Sequence, residues 1–218
     1  ITASENNAWL LNIRGNDSKY TPIPCSYILF DRKKNLNFFC DLQKIPKSFK
    51  KNFNKVKFIN IKNTRFILSQ IYKKNIMIDK NTCSIFYENI ISKNNKILNQ
   101  QDPIYALKAI KTKREIENIK QAHIYDGAAL TKYLFWLKNN FKKKKITEIS
   151  AEKKLFNFRK KNKNFNFLSF PTISGTGPNG AIIHYKASKS TNRRLKKGDI
   201  YLVDSGGQYN YGTTDVTR

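Results

Sequence analysis

The sequence predicts an α/β (α+β) protein in two parts, a small α/β domain over residues 1–101 and a second unit over residues 102–218. Three observations predict this. Short aromatic and β-branched runs alternate with helical patterns through the first hundred residues, as mixed α/β layering requires. Two long helical patterns then follow one another from Asp102 onward. The last fifty residues become glycine-punctuated and strand-like. With 218 residues, 39% of them apolar and 13% aromatic, the chain can bury cores of this size, which excludes wholesale disorder.

Each element has a local reason. Ala8–Ile13 and Ser26–Phe30 read as short buried strands, and Asn35–Cys40 pairs with the second across the polar connection Asp31–Lys34. Val56–Ile61 alternates as a half-buried strand. Phe66–Tyr72 reads as a helix, Asn75–Asp79 as a strand and Cys83–Ile91 as a second helix. Thr112-Lys113-Arg114-Glu115 spells a capping box. Behind it Ile116, Ile119, His123, Leu130, Tyr133, Leu134 and Leu137 recur at helical spacing, predicting a helix to about Asn140 with His123 in its core stripe. Gly127, unfavourable inside a helix, predicts close packing against a neighbour. Thr147 or Ser150 caps a further helix to about Lys161. Ala181–Tyr185 reads as an apolar strand that presents His184 at its end, and Ile200–Asp204 with Thr213–Thr217 as a strand and its return.

Charge and cysteine content narrow the class. Lys+Arg number 42 against 15 Asp+Glu, a formal net charge of +27. Such an excess ordinarily points to polyanions. Here, however, the basic residues are overwhelmingly Lys, mixed with Asn, Ile, Phe and Tyr as AT-rich codons would supply them. Base readers lean on Arg for bidentate contacts, so specific nucleic-acid binding is not expected. Three widely spaced cysteines fit neither a disulfide framework nor a zinc site, and a reduced, cytoplasmic protein follows. No run of eighteen apolar residues exists to span a bilayer. The opening Ile1-Thr2-Ala3-Ser4 lacks Met and any signal-peptide pattern and reads as a start internal to a longer chain.

Chemistry concentrates near the C-terminus. Ser169–Gly180 is rich in residues that permit tight turns, yet it lacks the Lys-Ser/Thr ending of a phosphate-binding loop. Beyond it, Ile200–Val203 delivers Asp204 at the end of a strand. A symmetrical hairpin centred between Tyr209 and Asn210 places Asp215 directly opposite, with Cβ atoms roughly 4.5–5.5 Å apart. Two ionised carboxylates so close need a cation or a proton between them. Spacing alone leaves two readings open: a metal site, or Asp204 capping a turn while Asp215 faces solvent.

Two motifs carry a resemblance. Ile173-Ser174-Gly175-Thr176-Gly177-Pro178-Asn179-Gly180 running on to His184-Tyr185, followed by Asp204-Ser205-Gly206-Gly207-Gln208-Tyr209 and Gly212-Thr213-Thr214-Asp215-Val216-Thr217-Arg218, resembles the aminopeptidase P family of Xaa-Pro aminopeptidases. Trp9–Gly15, Lys111–Gly127 and Thr147–Ser150 are similar to the same family. The resemblance implies a creatinase-N-like domain followed by the first half of a pita-bread catalytic domain. It implies that Asp204 and Asp215 are the first two ligands of two divalent metal ions, Mn(II) suiting so oxygen-rich a set. It also implies that His184 contacts substrate near the scissile carbonyl as a catalytic and substrate-binding group. The family's remaining ligands, one His and two Glu, fall on the C-terminal side of Arg218, so residues 1–218 alone are expected to be inactive. Peptides with proline second are the implied substrates, a homodimer the implied assembly, with no membrane partner. The rivals are a prolidase-type dipeptidase and a pita-bread scaffold that binds nucleic acid or protein without catalysis.

Overall fold

A computed structural model of the protein describes residues 1–218 as two compact units, Ile1–Ile110 and Lys111–Arg218. In the first, α1 (Ser4–Leu11) precedes the hairpin β1 (Tyr27–Phe30) and β2 (Leu36–Cys40), the short α2 (Lys47–Lys50) and β3 (Val56–Asn60). The strands lie in the order β1-β2-β3, with β1 antiparallel and β3 parallel to β2. Ala8, Ile13, Ile28, Phe38 and Cys40 form the core against this sheet. Next come α3 (Thr64–Ser69), β4 (Asn75–Ile78), α4 (Ile85–Ser92), β5 (Lys96–Asn99) and α5 (Ile104–Ala109). Here β4 and β5 pair in parallel, and Leu68, Ile78, Cys83 and Ile91 form a second cluster. Asp102, where the texture of the sequence changes, is bonded back into this unit: its carboxylate accepts from buried Asn6 at 2.7 Å and its N–H donates to Asp79 at 3.0 Å.

The N-terminal strand predicted at Ala8–Ile13 is instead the end of α1. A short apolar run cannot be assigned by periodicity alone, and tertiary bonds decide the matter. Asn6 and Asn7 are wholly buried, Asn7 donating to the Ser26 carbonyl at 2.9 Å. Asn12, left-handed at φ 49°, ends the helix by donating to the Trp9 carbonyl, a role Asn tolerates better than most residues.

The second unit opens with α6 (Lys113–Asn140), whose capping box forms as predicted: Thr112 N–H donates to Glu115 at 2.7 Å, and Glu115 N–H to Thr112 at 3.2 Å. A second box, Thr147 with Ser150, starts α7 (Glu148–Lys160). Leu130, Tyr133, Ile146, Ala151, Leu155, Leu195 and Val203 form the core between the two helices and the sheets. After β6 (Phe165–Leu168) and β7 (Ile173–Thr176), one long stretch is divided at Gly206 into β8 (Tyr201–Ser205) and β9 (Gly207–Tyr209). The return is likewise divided, into β10 (Gly212–Thr213) and β11 (Val216–Thr217). Two antiparallel sheets result, β11-β8-β7 and β10-β9-β6.

Three expectations are corrected in this unit. His123 lies on the exposed side of α6, its Nδ1 held by the Ile119 carbonyl at 2.9 Å, because the buried stripe runs through Ala122, Asp126, Ala129, Leu130 and Tyr133. Gly127 has nothing within 4 Å of where a Cβ would stand, so close packing does not explain it. Ala181–Tyr185 is no strand: a 3₁₀ turn over Gly177–Ala181 leads into a bend that leaves Ile182 and Ile183 exposed, and His184 adopts φ 55°.

Candidate metal centre

The hairpin that bears Asp204 and Asp215 has a register different from the symmetrical one. Tyr209 pairs with Gly212, Gln208 with Thr213, Ser205 with Val216 and Asp204 with Thr217. The centre thus lies between Asn210 and Tyr211, and Gly206 rather than Asp204 stands opposite Asp215. Direct opposition of the two carboxylates is therefore corrected to a diagonal relation. A two-residue slip keeps each side chain on its original face, whereas a one-residue slip would reverse it. The crossing is close enough to demand glycine. A Cβ on Gly206 would overlap the carbonyl oxygen of Thr214 and the hydroxyl of Ser169.

The state of Asp204 bears on what the pair can hold. It is half-buried, and its Oδ1 is sealed from solvent without any hydrogen-bond partner, whereas Asp215 is exposed. Most buried polar atoms are paired, and an orphaned carboxylate oxygen fits a divalent cation. Within the chain no group of three or more His, Cys, Asp and Glu side chains converges to complete such a site.

Two buried polar networks brace this region, and neither was foreseen from the sequence. In the first, Arg159 on α7 donates from Nε to Asp126 Oδ1 at 2.6 Å and from Nη2 to Oδ2 at 3.0 Å, both side chains being almost wholly buried. The same Nη2 donates to Ser205 Oγ at 3.0 Å, and Tyr209 O–H donates to Asp126 at 2.8 Å. Helices α6 and α7 are thereby tied to the strand on both sides of Gly206, beside Asp204. Burial and the adjacent Asp126 carboxylate push the Tyr209 hydroxyl well above its ordinary pKa, so it stays a donor. The available signal was Arg159 itself: in so Lys-rich a chain, a guanidinium in the last turn of α7 marks a place that needs a planar fork.

The second network centres on Glu148, the first residue of α7 and wholly buried. Its carboxylate accepts from the N–H of Thr176 at 2.8 Å, the amide of Asn179 at 3.0 Å, the hydroxyl of Tyr185 at 2.8 Å and the N–H of Arg193 at 2.9 Å. Asn179 and Tyr185 flank the bend that carries His184. No hydrogen bond or ion pair joins His184 to Asp204 or Asp215; the structure presents it from a separate, exposed turn.

The Creatinase/Prolidase N-terminal domain family matches residues 1–115, and metallopeptidase family M24 matches residues 117–218. The chain belongs to the Xaa-Pro aminopeptidase P family. Xaa-Pro aminopeptidase ApepP of Drosophila melanogaster is 38% identical over 226 residues, covering all of this chain and 36% of the relative. Xaa-Pro aminopeptidase 1 of Dictyostelium discoideum is 39% identical over 225 residues, covering all of this chain and 35% of its own length. The chain thus spans about a third of the family members it matches. The solved X-prolyl aminopeptidase of Caenorhabditis elegans, described as a cytosolic enzyme with a di-nuclear active site, superposes at a TM-score of 0.86. That superposition has 29% identity and covers 99% of this chain and 36% of the other. Prolidase from Pyrococcus furiosus shares the fold at a TM-score of 0.69 and 23% identity. In aminopeptidase P terms, residues 1–115 are the creatinase-N domain and residues 117–218 part of the pita-bread M24 domain.

Proposed function

We propose that the whole protein is a metal-dependent aminopeptidase that hydrolyses the bond between an N-terminal residue and a following proline. The observation that carries this reading is the orphaned Oδ1 of Asp204, on the hairpin that also bears Asp215. Those two carboxylates hold part of a centre for two divalent ions, with Mn(II) favoured by an oxygen-rich ligand set. When bound, the ions supply Lewis acidity toward the scissile carbonyl and the attacking water.

The chain's own residues set the remaining conditions. The scissile amide is tertiary and has no N–H, so recognition has to come from the carbonyl side and the ring. His184 donates to the carbonyl oxygen as negative charge grows on it, a kind of contact that strengthens toward the transition state. The Arg159–Asp126 pair keeps the strand bearing Asp204 fixed against the helices. A scaffold used only for binding would gain nothing from two neighbouring carboxylates that repel each other. A cytoplasmic location accords with the description of the Caenorhabditis relative as cytosolic.

Metal content and turnover of the whole protein on matched Xaa-Pro and Xaa-Ala peptides test this reading. Only the proline peptide should be cleaved. Asp204→Asn should lose both metal and turnover, since the shape remains while the charge is gone. His184→Ala should keep its metal and slow by about 10²–10³-fold. Full metal and normal turnover in Asp204→Asn would show the metal assignment to be wrong.

A further inference from the structure

We infer that Glu148 is a positioning residue that sets the place of His184. The inference rests on the reading of His184 as a substrate-contacting group, but its structural content stands apart from that reading. Glu148 is a wholly buried carboxylate that forms no ion pair; neutral donors meet its charge, two of them backbone N–H groups. Its seat at the start of α7 adds the favourable end of the helix dipole. Burying a charge in this manner is costly unless every acceptor site is used, and the arrangement of the donors indicates what the burial achieves.

Two of those donors, Asn179 and Tyr185, bracket the segment that ends in His184, and they also bond each other, Asn179 Nδ2 to Tyr185 O–H at 2.8 Å. Between them the backbone closes only through Ile182 N–H to the Asn179 carbonyl at 3.3 Å and Tyr185 N–H to the Ile182 carbonyl at 3.2 Å. Apolar burial does not hold the bend at Ile182 and Ile183, which are 53% and 86% exposed, and reaches it only through the ring of Tyr185, 6% exposed. His184 sits in the left-handed region at φ 55°, which an L-residue keeps only when its surroundings enforce it. Packing of the Tyr185 ring is kept when Tyr185 is replaced by Phe, so that variant isolates the hydroxyl's bonds from the ring's burial. The enforcing element is the Glu148 clamp acting on the next residue, Tyr185.

The test uses ¹⁵N relaxation of the 218-residue chain and of its Tyr185→Phe and Glu148→Gln variants. With only two histidines present, exposed His123 on α6 is an internal control. The wild-type His184 amide should have an order parameter near 0.85, as rigid backbone does, falling below about 0.6 in both variants. Amides of α6, α7 and His123 should not change. A Glu148 that served stability alone would lower the unfolding midpoint and leave His184 as ordered as before, which overturns the inference. So does a wild-type His184 already below about 0.6. Should Glu148→Gln fail to fold, Tyr185→Phe decides together with Thr191→Ala. The Tyr185 hydroxyl also lies 3.1 Å from Thr191 Oγ1 and 3.2 Å from its carbonyl. A Thr191→Ala variant that loosens His184 as much as Tyr185→Phe does would overturn the inference. Loss of order together with normal turnover of His184→Ala in the whole protein would remove the substrate-contacting role and leave the clamp standing.

Discussion

Asp126 and Arg159 meet almost wholly buried, and removing one leaves the other stranded. Asp126→Ala should cost about 3–5 kcal/mol. Urea unfolding should show this as a lower midpoint at an unchanged slope. A loss below about 1 kcal/mol, the range of exposed pairs, would mean that the pair is better solvated than its geometry indicates. Glu152 supplies a test by pH. Burial raises its carboxyl pKa above the ordinary value of 4.5, against the lowering pull of Lys186 and Lys153. The folded chain thus binds that proton more tightly than the unfolded chain, so stability falls as pH rises from 4.5 through the folded value. Glu152→Gln should therefore raise the unfolding midpoint at pH 7 and make no difference near about pH 3.5. Equal midpoints at both pH values would contradict the shift. At this scale, His184, Asp204 and Asp215 were singled out because they sit in local motifs. Glu148 and the Asp126–Arg159 pair were not, because their partners lie 26 or more residues away in the chain, and spacing carries no trace of such contacts.

Among the elements, those with local causes were read correctly. The start of α6 follows from Thr112 and Glu115, and Thr112→Ala should destabilise the chain by about 0.5–2 kcal/mol, measurable as a shift in thermal midpoint. The β1–β2 hairpin was likewise legible, its register fixed across a short polar turn. Elements set by tertiary bonds were not. Buried Asn6 and Asn7 commit α1 to a helix, and the Glu148 network holds residues 177–185 as a turn. The hairpin bearing the carboxylates was read with the wrong register, because a two-residue loop at Asn210-Tyr211 sets its centre. Its tightest point is Gly206. Gly206→Ala must push apart the strands that carry Asp204 and Asp215, and should cost at least about 1–3 kcal/mol, with the largest amide shift changes at residues 204–207 and 213–216. Unchanged shifts there would mean that the crossing is looser than described.

For the molecule as a whole, the α/β class and the family were legible from order and motif, while the net charge of +27 by itself pointed to no one function. If that charge reflects codon drift, duplex DNA should bind without sequence preference and lose several orders of magnitude in affinity between about 50 and 200 mM salt. Sequence preference that survives the higher salt would revive a nucleic-acid role. The central claim is that Asp204 and Asp215 form one part of a divalent metal centre. Its most direct test is Mn(II) titrated into the ¹⁵N-labelled 218-residue chain, followed by paramagnetic broadening of the amides. Binding should be weak, since two carboxylates leave most coordination positions to water. Broadening should nevertheless centre on Asp204, Ser205, Asp215 and Val216 and vanish in Asp204→Asn. Broadening spread evenly over the exposed acids, or unchanged in Asp204→Asn, would contradict the claim.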